Sequence, residues 1–144
     1  MRIMRPQAWL DWQLIEPGSD TWGLIVSDFA KQEYKITKNY YVRMNVTRFI
    51  NQGYTLLATE DENTLAAKSP DGKEIVLVVL NVENKPFELK ADISSFGKIT
   101  PKATLYRTSR GEDCQKLDPL KISGKKIAYT APAMSISTLI IKAK

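Results

Sequence analysis

The chain has 144 residues, 43% hydrophobic and 26% charged, with a formal charge of +5. This is a globular composition with room for one core and a short appendage, but not for a (β/α)8 barrel of about 250 residues. The absence of histidine removes Ser-His and Cys-His nucleophiles, imidazole proton transfer and His-ligated zinc, and a single cysteine, Cys114, excludes an intrachain disulfide.

Met1-Arg2-Ile3-Met4-Arg5-Pro6 is charged but lacks an apolar run and a small-residue cleavage site, so no signal peptide is expected and the compartment is left open. Residues 8–15, with Trp9, Leu10, Trp12 and Leu14, read as a strand. Turn chemistry in Glu16-Pro17-Gly18-Ser19-Asp20 closes it, and a loop with Thr21-Trp22-Gly23-Leu24 follows. Thr37 is a predicted N-cap. Tyr40, Tyr41, Val42, Met44, Val46 and Phe49 then form a broad apolar helix face, with Arg43, Asn45 and Arg48 mostly opposite, and Gly53 is expected just past the helix.

From Tyr54 the period becomes that of strands. The runs Tyr54–Glu60, Thr64–Lys68, Glu74–Val82, Phe87–Ile93, Lys102–Thr108, Lys125–Thr130 and Ser135–Lys142 alternate with turn signals. The plainest signal is Ser69-Pro70-Asp71-Gly72-Lys73, which puts Pro and Gly at the second and fourth places of a type I turn. The expected fold is mainly β: an antiparallel β-sandwich of about eight strands over residues 53–144, preceded by a strand-loop-helix appendage over residues 1–52.

The longest apolar run, Ile75–Leu80, is rich in β-branched residues and far short of the roughly 20 residues that cross a bilayer, so no membrane span is expected. Lys73, Lys85, Lys98, Lys102, Lys116, Lys121, Lys125 and Lys126 are scattered over turns rather than gathered on one element. They read as solubilising, edge-protecting charges and not as a nucleic-acid surface. Asp61-Glu62-Asn63 and Glu112-Asp113 lack the spacing of a calcium loop, so neither a metal nor a cofactor is expected. Cys114 follows two acids, whose charge disfavours a thiolate.

Several motifs in order resemble the C-terminal portion of glycoside hydrolase family 30, and within it endo-galactanase-like and glucosylceramidase-like proteins. They are Asp11-Trp12-Gln13-Leu14, Trp22-Gly23-Leu24-Ile25, and Lys38-Asn39-Tyr40-Tyr41 running to Arg48-Phe49-Ile50 and Gly53. Leu65-Ala66-Ala67, the Ser69–Lys73 turn, Val76–Asn81, Tyr106-Arg107-Thr108-Ser109 and Pro132-Ala133 before Ser135–Thr138 continue the series. The resemblance makes residues 1–52 the remnant of a barrel's last strand, loop and helix.

It also implies retaining hydrolysis by two glutamates about 5 Å apart on earlier barrel strands. Both strands would precede Met1, so no catalytic residue is assigned and the chain alone is expected to be inactive. What matches is one edge of a sugar site: Trp12 as an aromatic floor, Gln13 as a hydrogen-bonding amide and Trp22 on the next loop.

The implied function is a non-catalytic module, structural or accessory to a carbohydrate-hydrolysing barrel. The implied partners are a barrel-bearing chain or a second copy, meeting residues 8–15 and the helix face. A free-standing carbohydrate-binding module using Trp9, Trp12 and Trp22 is the alternative, although these side chains are expected to pack on the β domain or another chain. A small active glycosidase using Asp11, Glu16, Asp20 or Asp28 ranks last, because Glu16 and Asp20 read as solvated turn charges. Family members are often secreted, periplasmic or lysosomal.

Overall fold

The structure, a computed structural model, describes Leu10, residues 12–18 and residues 22–144. Trp9, Asp11 and Asp20 lie outside the described residues, as does part of the strand expected over 8–15.

Three short strands come first: β1 (Ile15–Pro17), β2 (Ile25–Asp28) and β3 (Glu33–Ile36), with β1 and β2 parallel and β2 and β3 antiparallel. The segment expected to be turn and loop therefore holds a small mixed sheet. Its strands of three or four residues are too short to show a period in the sequence.

Helix α1 (Lys38–Thr47) follows. Eight strands complete the chain: β4 (Thr55–Leu57), β5 (Thr64–Lys68), β6 (Glu74–Asn81), β7 (Phe87–Asp92), β8 (Lys102–Ser109), β9 (Glu112–Lys121), β10 (Lys126–Ala131) and β11 (Ser135–Lys142). Six of them form an antiparallel sheet in the order β4-β5-β6-β11-β8-β9, and β10 pairs with β7 in a second layer. This is the expected β-sandwich.

The central sheet is buried on both faces. Ile75, Leu77 and Val79 of β6, with Leu139 and Ile141 of β11, face Leu89, Ile127, Tyr129 and Ala131 of the two-stranded layer. Val76, Val78 and Ile136 face the opposite way, against Tyr41, Val42, Met44, Val46 and Phe49 of the helix and its C-terminal turn. Burial on two faces is why Ile75–Val79 reads as a continuous apolar run instead of an alternation; Leu80, which extends the run, is exposed.

Asn45 departs from the expected pattern. It lies on the sheet side of α1, with no exposed surface, and its Nδ2 donates to Thr108 Oγ1 at 2.6 Å and to the Tyr41 carbonyl at 2.9 Å. Thr138 Oγ1 donates to the Asn45 carbonyl at 2.7 Å, so the helix is fixed to β8 and β11 by polar bonds inside an apolar interface. Arg48 caps the helix and lies over the Phe49 and Tyr106 rings. Gly53 sits later, at φ +87° in the turn where Tyr54 N donates to the Asn51 carbonyl, with no part in ending the helix.

Strand β9 has no counterpart among the expected runs. Its sequence, Glu112-Asp113-Cys114-Gln115-Lys116-Leu117-Asp118-Pro119-Leu120-Lys121, is mostly polar because it is the sheet's outer strand, and Lys116, Pro119 and Lys121 suit an edge that must not recruit further strands. The Ser69–Lys73 turn forms as expected: Gly72 N donates to the Ser69 carbonyl at 3.0 Å, and Asp71 Oδ1 accepts from Ser69 Oγ and Lys73 N.

Candidate functional site

The three residues singled out for sugar contact lie at one end of the small sheet. The β1–β2 pairing continues upstream, with Ile25 N donating to the Leu14 carbonyl at 2.9 Å and Leu24 N to the Gln13 carbonyl at 3.2 Å. Because these strands are parallel, Trp12 and Trp22 both lead into the same end of the pair. Trp12 is 80% exposed and Trp22 67% exposed, while Gln13 is half-buried. The expectation that these tryptophans pack on the β domain does not hold within the chain. The Trp12–Gln13 peptide is cis.

Two polar side chains fix the backbone beside Trp22. Glu16 Oε2 accepts from the backbone N–H of Gly23 at 2.8 Å and of Trp22 at 3.2 Å. Thr37 Oγ1 donates to the carbonyls of Gly23 at 3.1 Å and Leu24 at 3.0 Å. Thr37 thus occupies the N-cap position of α1 but turns its hydroxyl away from the helix. Gly23 is obligatory here: a Cβ would stand 2.7 Å from Glu16 Cβ and 3.0 Å from the Ile25 carbonyl oxygen. From the sequence alone Glu16 reads as a solvated turn charge, and the structure gives it two backbone partners instead. A bond spanning six or seven positions through a side chain leaves no local signature that sequence reading would detect.

The remainder of the small sheet is apolar and exposed. Leu14, Ile15, Phe29, Tyr34 and Ile36 are all open to solvent, and Ile15, Ile25, Phe29 and Tyr34 help line an open groove of about 480 Å³. Asp28 at its rim pairs with Lys31, whose backbone N–H and ammonium hold the carboxyl below the usual range.

The other displaced carboxyls move in the same direction. Hydrogen bonds from Ser69 and Ser94 lower Asp71 and Asp92 respectively, and the Arg107 guanidinium, bonded at 2.6 and 2.5 Å, lowers Glu112 with help from Ser109. A general acid needs the opposite displacement. Burial pushes the Cys114 thiol up, while nearby Arg48 opposes it, so the cause is desolvation and not the two preceding acids. Asp113 is paired with Lys38 of α1. Among the described residues no group of three or more acids and cysteines is placed to hold a metal, and no helix is long and apolar enough to cross a membrane.

No family model matches the chain. Among curated proteins, the endo-β-1,6-galactanase of Hypocrea rufa is 28% identical over 140 residues, covering 94% of this chain and 29% of its own length. A solved family 30 subfamily 8 xylanase from Clostridium acetobutylicum superposes with a TM-score of 0.70 at 18% identity, over 86% of this chain and 32% of its own. The catalytic domain of family 30 xylanase C from Talaromyces cellulolyticus gives 0.68 at 18% identity, over 90% and 29% respectively. The chain spans less than a third of the length of each. In sequence along nearly its whole length, and in fold, it corresponds to a portion of a glycoside hydrolase family 30 protein.

Proposed function

We propose that the chain is a non-catalytic, accessory β-sandwich module that docks on a carbohydrate-hydrolysing barrel through the β1–β3 surface and supplies one wall of its sugar site. The observation that supports this is the division of apolar surface. The sandwich encloses its own core, occupies the helix face and exposes only Leu80, Val82 and Met134 among its described large apolar residues, whereas Leu14, Ile15, Trp22, Phe29, Tyr34 and Ile36 are all exposed on the much shorter preceding segment. Isolated exposed apolar residues are ordinary, but a run of them from one small sheet marks a contact surface.

The isolated chain is expected to self-associate in size-exclusion chromatography with light scattering and to enhance the fluorescence of a hydrophobic dye. A monodisperse, dye-silent monomer counts against docking. Hydrolysis of an aryl glycoside that disappears when one carboxylate of this chain is replaced overturns the non-catalytic assignment.

The exposure of Trp12 and Trp22 favours a second reading, direct glycan binding by the chain itself. Since the curated relative is named an endo-β-1,6-galactanase and the solved neighbours xylanases, the relevant probes are β-1,6-linked galacto-oligosaccharides and β-linked xylo-oligosaccharides. Tryptophan emission should shift on titration with one of them, and a flat response to both removes this reading.

A further inference from the structure

We propose that Glu16 is a positioning residue that holds Trp22 in place for stacking on a sugar ring; the inference rests on the reading of Trp22 as part of a sugar-facing surface. The N–H groups of Trp22 and Gly23 precede the β1–β2 ladder, whose first bond is from Leu24 N to the Gln13 carbonyl. One carboxylate oxygen of Glu16 accepts from both, at 3.2 and 2.8 Å, a charge-assisted pair on consecutive amides.

Glu16 is itself anchored, since it lies in β1 opposite Val26 and between the Ile15–Ile25 and Pro17–Ser27 pairs. On the far side of the same turn Thr37 holds the Gly23 and Leu24 carbonyls, and the space where a Gly23 side chain would stand is filled by Glu16 and the Ile25 backbone. The backbone under Trp22 is thus fixed from two directions while its indole is 67% exposed. An aromatic surface on a braced backbone has already lost the freedom that ligand binding would otherwise remove, which is the condition for a preorganised platform.

The test uses the full chain, ¹⁵N-labelled, as wild type, Glu16→Ala and Glu16→Gln. Amide exchange at Trp22 and Gly23 is expected to accelerate roughly tenfold or more in Glu16→Ala and less in Glu16→Gln, where an uncharged oxygen still accepts, with exchange in β6 and β11 unchanged. Affinity for the β-1,6-galacto- or xylo-oligosaccharide that binds wild type should fall about tenfold in Glu16→Ala and recover partly in Glu16→Gln. Unchanged exchange at residues 22 and 23 in both variants overturns the clamp. Faster exchange with undiminished affinity overturns the link between clamp and binding. A wild-type chain that binds neither oligosaccharide, yet shows the exchange change, overturns the sugar-facing reading and the ligand assigned here.

Discussion

Glu112 shows how one carboxylate can tie stability to pH. It accepts two bonds from the Arg107 guanidinium and one from Ser109, with both charged side chains about four-fifths covered. Its pKa in the folded chain lies below the ordinary value of 4.5. A group depressed on folding stabilises fully above its unfolded pKa, and that contribution is lost as pH falls from 4.5 through the lower folded value. Thermal midpoints of wild type and Glu112→Gln should therefore differ at pH 7 and converge toward pH 3; a gap of equal size at both argues against the pair as its source. Residues of this kind were poorly legible in sequence. In sequence Glu112 is one of two adjacent acids without calcium-loop spacing and Glu16 a turn charge, because the partners that define each come from geometry that a list of residue types does not contain.

At the scale of elements, α1 depends on one buried amide. Of the face predicted from Tyr40, Tyr41, Val42, Met44, Val46 and Phe49, all but Tyr40, which lies edge-on to the Tyr41 ring, belong to the cluster packed on the sheet, but Asn45, expected on the far side, is inside with Thr108 and Thr138. Replacing Asn45 with Leu removes the amide's bonds to Thr108, Thr138 and the Tyr41 carbonyl, while Thr108 keeps the Tyr41 carbonyl and Cys114 N–H and Thr138 keeps the main-chain carbonyl of residue 45, so chemical denaturation should show a loss of about 1–2 kcal/mol. A loss under 0.5 kcal/mol, within the range of ordinary surface changes, would mean the network is expendable.

What the sequence disclosed about elements tracks burial. Strand β6 is apolar because both of its faces are covered over Ile75–Val79, and it is legible for that reason. Strand β9 is polar because it lies on the edge and was not anticipated, and β2 and β3 are too short for any period.

For the molecule as a whole, the sandwich was readable from turn spacing and strand runs, and the family from motifs in order. The exposed sheet was not, since apolar residues give no sign in sequence of whether their partner is in the same chain. If Phe29 and Tyr34 belong to a docking surface, the double variant Phe29→Ser, Tyr34→Ser should lose dye binding and self-association while keeping the wild-type thermal midpoint. A variant that associates as before places the contact elsewhere, and one that melts well below wild type shows these rings to be part of the fold.

The order of strands also bears on when the protein can fold. Strand β11, residues 135–142, is last in sequence but lies between β6 and β8, with Lys142 opposite Glu74 and Ile140 opposite Thr104. During synthesis the β4–β6 meander and the β8–β9 hairpin emerge as two separate half-sheets, each with an open apolar edge. They become one sheet only when β11 slides between them, a closure over long sequence separation that is slow by nature. Until then the nascent chain is two unjoined pieces, and the helix that packs on β8, β9 and β11 has no complete surface on which to rest.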